Sequence, residues 1–241
     1  MFGHRGVKGH APENTLEGFR VAKDLGVDGI EFDVHMSRDG HLVVIHDDDV
    51  ERTTNGRGLV RDMTLSQLKM LDAGVKFGKE WKGAKIPTVE EVFSQIEGLK
   101  YKIEIKHGSS VYDGIEEKVI SAVETAGVTN RVRITSFDYN AIYNMHKLKR
   151  RIELGIIIRG RVGWFTGIAK RVGAKWIQAN YDLLEPGDVS TAHRKGINIG
   201  VWGLRDGKSV ENCLRMGVDE LTLDYPEVAL RLIKRKAVHK Q

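Results

Sequence analysis

Three short stretches combine residue types that bind cations, move protons and hold anions. The first is GIEFDVHMS, residues 29–37. Side chains of a strand alternate between its faces, so Ile30, Phe32 and Val34 share one face and Glu31, Asp33 and His35 the other. Two carboxylates held together in an interior repel each other and lose hydration, and a divalent cation relieves both problems. The second stretch, KYKIEIK at 100–106, repeats the pattern: Ile103 and Ile105 face one way, Glu104 and Lys106 the other. Three carboxylates, completed by water and phosphate oxygens, make a hard-oxygen site suited to Mg²⁺ or Ca²⁺. The third, GHRG at 3–6, sets a proton-transfer group, His4, beside an anion clamp, Arg5.

Each acidic pair also fits a plainer arrangement. Glu31 and Asp33 suit the exposed face of an edge strand, and Glu104 and Lys106 a cross-strand ion pair. Which holds depends on the elements that carry them. Strand-rich runs recur at 131–137, 151–158, 174–180, 196–202 and 217–224, with centres spaced by roughly 22 residues. Helical stretches such as 138–149 and 206–216 lie between them. With 27–34, 100–106 and the opening MFGH, eight strands are predicted, and alternation at this spacing predicts a (β/α)8 barrel. The alternative, an open doubly wound sheet, calls for a glycine-rich phosphate loop after the first strand. GHRGVKGH lacks the GxGxxG spacing. In a barrel the apolar faces pack on the outer helices, so neither acidic pair has a solvent face.

HLVVIHD (41–47) follows the acidic strand through SRDGH, and an Asp-Gly turn between strand-rich runs predicts a hairpin. That hairpin sets His46 beside the carboxylates. His10 and His41 are expected at the surface, with His35 and His107 as supporting groups behind the site. About 40 residues then pass before TVEEVFSQI resumes a helix at 88–96, where a strand-to-helix loop normally takes about 2–6. Residues 47–87 are therefore expected to form a small inserted subdomain. Within it TLSQLKML reads as a short helix, with Thr64 as N-cap and Gln67 at the capping-box position.

Composition bounds the class. At 241 residues and 41% hydrophobic, the chain can bury the core of one barrel-sized domain spanning 1–241. A net charge of +5 is mild, and the basic runs 147–151 and 234–240 read as a solvated helix end and a charged tail rather than a nucleic-acid surface. The single Cys213 excludes an internal disulfide and a cysteine metal cluster. No apolar run reaches the roughly 18 residues of a membrane span, and no signal peptide precedes the first strand, so a cytoplasmic enzyme is expected. Oligomeric state leaves no mark in the sequence.

Taken together, GHRG, APENTLEGFRVAKDLGVDGIEFDVHMSRDGHLVVIHDDDVERTTNGRG, IEIK, the VW at 201–202 and LTLDYPE resemble the glycerophosphodiester phosphodiesterase family. The resemblance implies a (β/α)8 barrel and metal-assisted hydrolysis of glycerophosphodiesters to sn-glycerol 3-phosphate and an alcohol. By the same resemblance Glu31, Asp33 and Glu104 are the ligands of Mg²⁺ or Ca²⁺, and His4 and His46 the general acid/base pair. Arg5 and Lys106 contact the phosphate of a small-molecule diester. Trp202 falls where the family has an aromatic wall near the glycerol; a packing tryptophan at a strand end is its plainer reading. Asn14, in the PENT motif, is expected to cap a helix and support its loop. The chain departs from the usual family residues at Gly203, Leu223 and Tyr225. Lysophospholipids or cyclic phosphodiesters are alternative substrates, and a non-catalytic phosphate-binding barrel is an alternative function.

Overall fold

The computed structural model of the chain describes the backbone of residues 1–238 and the side chains of residues 1–233. Eight parallel strands close into a barrel: β1 (Phe2–Gly3), β2 (Gly29–Met36), β4 (Lys100–Ile105), β5 (Val132–Ser136), β6 (Glu153–Ile158), β7 (Trp176–Asn180), β8 (Asn198–Trp202) and β9 (Glu220–Leu223). The remaining strand, β3 (Leu42–Val44), is the predicted hairpin partner: it pairs antiparallel with the end of β2, Val34 opposite Val44. Helices α1 (Leu16–Asp24), α3 (Val89–Gln95), α4 (Ile115–Thr125), α5 (Tyr139–Lys147), α6 (Val162–Arg171), α7 (Asp188–His193), α8 (Gly207–Met216) and α9 (Pro226–Val238) follow the barrel strands, and α2 (Leu65–Met70) lies in the insertion.

Local chemistry explains where helices begin. Thr15 accepts from the Gly18 N–H at the start of α1, and Thr88 and Glu91 form a reciprocal capping box at α3. Thr64 and Gln67 form the predicted box at α2. The N-cap of α1 is Thr15 and not Asn14, which holds a left-handed backbone (φ 56°) and sends its side chain into the barrel. Alternation along the strands sends Ile30, Phe32, Ile103, Ile105, Ile134 and Ile177 outward, and all are fully buried beneath the helices. Phe32 meets Phe19 of α1 with ring centroids 5.8 Å apart. Each such side chain contributes about 1.5–3 kcal/mol by leaving water.

β1 is shorter than expected, ending at Gly3 before His4. It still closes the barrel, because Phe2 and Gly3 pair with both β2 and β9. The chain must then turn at once. A Cβ on Gly3 would stand 2.0 Å from the Gly6 carbonyl oxygen, so only glycine permits this return. Between β3 and α3, Val50, Val60, Leu68, Ala73 and Ile86 gather with Val43 and Ile45 into an apolar cluster separate from the main core. The insertion therefore has its own packing and sits beside the C-terminal end of β2. The basic run 147–151 is exposed, as expected for a solvated helix end, whereas the side chains of 234–240 lie outside the described residues.

Candidate active site

The acidic residues meet because strand register leaves them no alternative. Asp33 of β2 stands opposite Glu104 of β4, and Glu31 opposite Lys102. All four side chains point into the barrel and are buried. Carboxylate oxygens of Glu31, Asp33 and Glu104 lie within 4.8 Å of one another. Burial, reinforced by repulsion from Asp33 and Glu104, pushes the Glu31 carboxyl up to about 8. The same causes, burial and then Asp33, raise Glu104 to about 7. Burial also acts against the charge on Asp33, but Lys106, Arg5 and His46 outweigh it, with help from the Asn14 hydrogen bond, and hold the group down at about 2.

Two buried polar atoms at this cluster lack an aligned hydrogen bond, one a carboxylate oxygen and one a guanidinium nitrogen. Glu104 Oε1 is buried and has no hydrogen bond; Lys106 Nζ stands 2.7 Å away as an ion pair but out of hydrogen-bonding alignment. Arg5 Nε is likewise buried without a hydrogen bond, 3.4 Å from Asp33 Oδ2. Three buried carboxylates that converge with oxygens within 4.8 Å of one another fit a hard divalent cation.

His4 lies just past β1, its N–H donating to the Leu223 carbonyl of β9 at 2.9 Å. Its ring Nδ1 is 2.6 Å from Asp224 Oδ1, and Nε2 is 3.9 Å from Glu31 Oε2. Lys8 pairs with the second Asp224 oxygen at 3.3 Å. Burial lowers the His4 pKa despite the Asp224 bond. His46 is built alike, with Nδ1 2.6 Å from Asp47 Oδ1. Its pKa is also lowered, by burial first, with Arg5 and Lys106 adding to it and Asp33 opposing. An ionised carboxylate only accepts hydrogen bonds, so each Nδ1 carries a proton and each Nε2 is the ring nitrogen left to take up or give one. Arg5 holds a left-handed backbone (φ 51°), which turns its own N–H onto Glu31 Oε2 at 2.9 Å while its guanidinium donates to Glu13 at 2.8 Å.

Seven of the eight residues singled out in the sequence, His4, Arg5, Glu31, His46, Glu104, Lys106 and Trp202, line one cleft at the C-terminal barrel end. The eighth, Asp33, sits directly behind it in the carboxylate cluster. Trp202 Nε1 donates to the Gln178 carbonyl at 3.2 Å, and its ring stands edge-on to Phe137, centroids 6.3 Å apart, so one wall of the cleft is aromatic. Gly203, next along the chain, has φ 80°, a conformation that a β-branched residue adopts only under strain.

The profile of the glycerophosphoryl diester phosphodiesterase family matches residues 4–228. The chain belongs to that family. It is 38% identical over 237 residues to a glycerophosphodiester phosphodiesterase of Caldanaerobacter subterraneus subsp. tengcongensis, covering 98% of each chain. A second, from Bacillus altitudinis, is 36% identical, with 96% of this chain and 97% of the relative covered. Among solved structures, an Oleispira antarctica phosphodiesterase in complex with the product sn-glycerol-3-phosphate is 28% identical, with a TM-score of 0.87 and 97% and 96% of the two chains covered.

For a member of this family the site holds more than its motifs announce. Asn14 donates from Nδ2 to Asp33 Oδ2 at 2.8 Å, orienting that carboxylate rather than capping a helix. His35 is fully buried: Nδ1 meets the Tyr112 hydroxyl at 2.8 Å and Nε2 the His46 carbonyl at 3.2 Å. His107 reaches Asp48 at 2.8 Å, so both support the loop that carries His46. His10 and His41 are exposed. Asp224 and Asp47 stand inside the quoted stretches LTLDYPE and HLVVIHD, and a carboxylate next to a site histidine is the signal that marks Asp47. Below the site, Lys102 and Glu220 form a buried pair at 2.8 Å, joined by Arg133 at 2.5 Å. The alternation that turned Glu104 and Lys106 inward extends one step further back to Lys102.

Proposed function

We propose that this family member hydrolyses glycerophosphodiesters to sn-glycerol 3-phosphate and an alcohol. In this reading Glu31, Asp33 and Glu104 hold Mg²⁺ or Ca²⁺, His4 and His46 transfer protons, Arg5 and Lys106 hold the phosphate, and Trp202 forms a wall for the organic half. The observation that carries it is the convergence of two carboxylate-backed imidazoles, two cations and two carboxylates on one cleft, with the third carboxylate, Asp33, directly behind it.

When bound, a divalent cation supplies Lewis-acid withdrawal of charge from a nonbridging phosphate oxygen. The protein groups do the rest. A phosphodiester is an anion that repels a nucleophile, and Arg5 and Lys106 offset that charge as it grows towards the transition state. One imidazole accepts the nucleophile's proton at Nε2. The other, protonated, donates to the departing alkoxide. Asp224 and Asp47 hold Nδ1–H in place and stabilise whichever ring becomes imidazolium.

The test is release of sn-glycerol 3-phosphate from a diester panel (choline, ethanolamine, glycerol and inositol esters), with Mg²⁺, Ca²⁺ or EDTA. Turnover with a divalent ion and none in EDTA is expected. His4→Ala and His46→Ala should each cut kcat by about 10²–10⁴. Full turnover in EDTA removes the metal role, and mild effects of both histidine variants remove the acid/base role.

A further inference from the structure

One guanidinium of the inserted segment, that of Arg52, reaches carboxylates on both sides of the site. Arg52 uses one edge on Asp47: Nε donates to Oδ2 at 2.6 Å and Nη2 to Oδ1 at 3.2 Å. It uses the other edge on Glu13, with Nη1 to Oε2 and Nη2 to Oε1, both at 2.8 Å. Each carboxylate then holds a different site residue. Asp47 Oδ1 is 2.6 Å from His46 Nδ1, and Glu13 Oε1 accepts from Arg5 Nη1 at 2.8 Å. Glu13 lies in the loop after β1, and Asp47 and Arg52 lie beyond β3, so the guanidinium links segments that are distant in the chain.

We propose that Arg52 is a positioning residue that sets His46 and Arg5 together, through Asp47 and Glu13. The inference rests on the roles given above to His46 and Arg5. The chemistry is specific to arginine: a planar fork presents donors along two edges, and a lysine ammonium cannot grip two carboxylates bidentately. The carboxylates lie well inside the mouth, at 13% exposed for Glu13 and 27% for Asp47, while Arg52 is 47% exposed. When Arg52 is lost, Glu13 keeps Arg5 and Asp47 keeps His46 as hydrogen-bonding partners. Loss of Arg52 therefore acts on geometry more than on folding.

The consequence is a division of kinetic effects. Glu13 acts through Arg5 on phosphate binding, Asp47 through His46 on the chemical step, and Arg52 on both. Each variant is measured in the metal-loaded enzyme with the best diester of the panel, beside Arg5→Ala and His46→Ala as references. Glu13→Gln should raise KM, and Asp47→Asn should lower kcat, each by about 10–100-fold, the scale of one charge-assisted hydrogen bond. Arg52→Gln should do both, with thermal unfolding little changed, and Arg52→Lys should recover at most one of the two. Arg52→Gln added to Asp47→Asn should cost little further kcat, because residues acting as a unit are not additive. Values of kcat and KM within twofold of wild type in Arg52→Gln overturn the proposal, as do losses that follow the unfolding temperature instead of this split. If Arg5→Ala leaves KM unchanged or His46→Ala leaves kcat unchanged, the underlying roles fall and the proposal falls with them. That result is distinct from the references responding while Arg52→Gln does not.

Discussion

Replacing Glu31 by glutamine should stabilise the metal-free protein while weakening its hold on a divalent ion. In the folded chain the carboxyl is 5% exposed and its pKa is pushed from 4.5 to about 8, by burial and by its acidic neighbours. In the unfolded chain it titrates at its ordinary value. A folded pKa raised above the unfolded one gives stability that is fully present below pH 4.5 and lost as pH rises through about 8. One pKa unit is about 1.4 kcal/mol, so the loss is on the order of 3 kcal/mol at pH 7 and about 5 kcal/mol above pH 8. Glutamine keeps the shape, and its carbonyl oxygen can still accept the Arg5 N–H, but it has no charge to lose. Urea unfolding in EDTA at pH 5 and pH 8 measures the difference. Wild type should fall between the two by several kcal/mol more than Glu31→Gln. Addition of Mg²⁺ or Ca²⁺ at pH 8 should raise wild-type stability and leave the variant largely unmoved, since binding to one state only stabilises it. Equal pH dependence in the two proteins would refute the picture of Glu31 as a buried, repelled carboxylate.

Two further predictions concern groups away from the chemistry. Cys213 on α8 is fully buried and burial pushes its thiol up to about 12, so the native protein should not react with a thiol reagent at pH 8 but should take one equivalent in denaturant; fast native labelling would contradict the packing. Its raised pKa also makes stability decline as pH climbs from 9 towards 12, a decline that Cys213→Ala should reduce in alkaline unfolding measurements. Lys102→Met leaves Glu220 buried with Arg133 as its remaining ionic partner among the described residues, and should cost about 3–5 kcal/mol in urea unfolding, whereas Lys102→Met with Glu220→Gln should cost less. A double-variant loss equal to the sum of the Lys102→Met and Glu220→Gln losses would show that the pair is not coupled.

The barrel and the inward placement of Glu31, Asp33, Glu104 and Lys106 were legible because both depend on periodicity. A period of two places Glu31 and Asp33 opposite Ile30, Phe32 and Val34 whatever the rest of the chain does, and the spacing of strand-rich runs specifies parallel units. Glu104 and Lys106 follow by the same rule. The hairpin at Asp39–Gly40 carries a local turn signal, so the position of His46 was also open to reading. The role of Asn14 was not. A residue just before a helix reads as a cap, and nothing local shows that Thr15 takes that place while Asn14 reaches 19 residues along the chain to Asp33.

What the sequence by itself determined is therefore the set of side chains that point into a barrel and the kind of ion and proton chemistry they suit. Only the tertiary structure decided how each one is held. His4 depends on Asp224, 220 residues away; Arg52 on Glu13, 39 away; Lys102 on Glu220, 118 away. A hydrogen bond senses distance and direction in space. Alternation fixes direction relative to one strand, but separation between residues far apart in the chain comes into being only when the barrel closes through the two residues of β1.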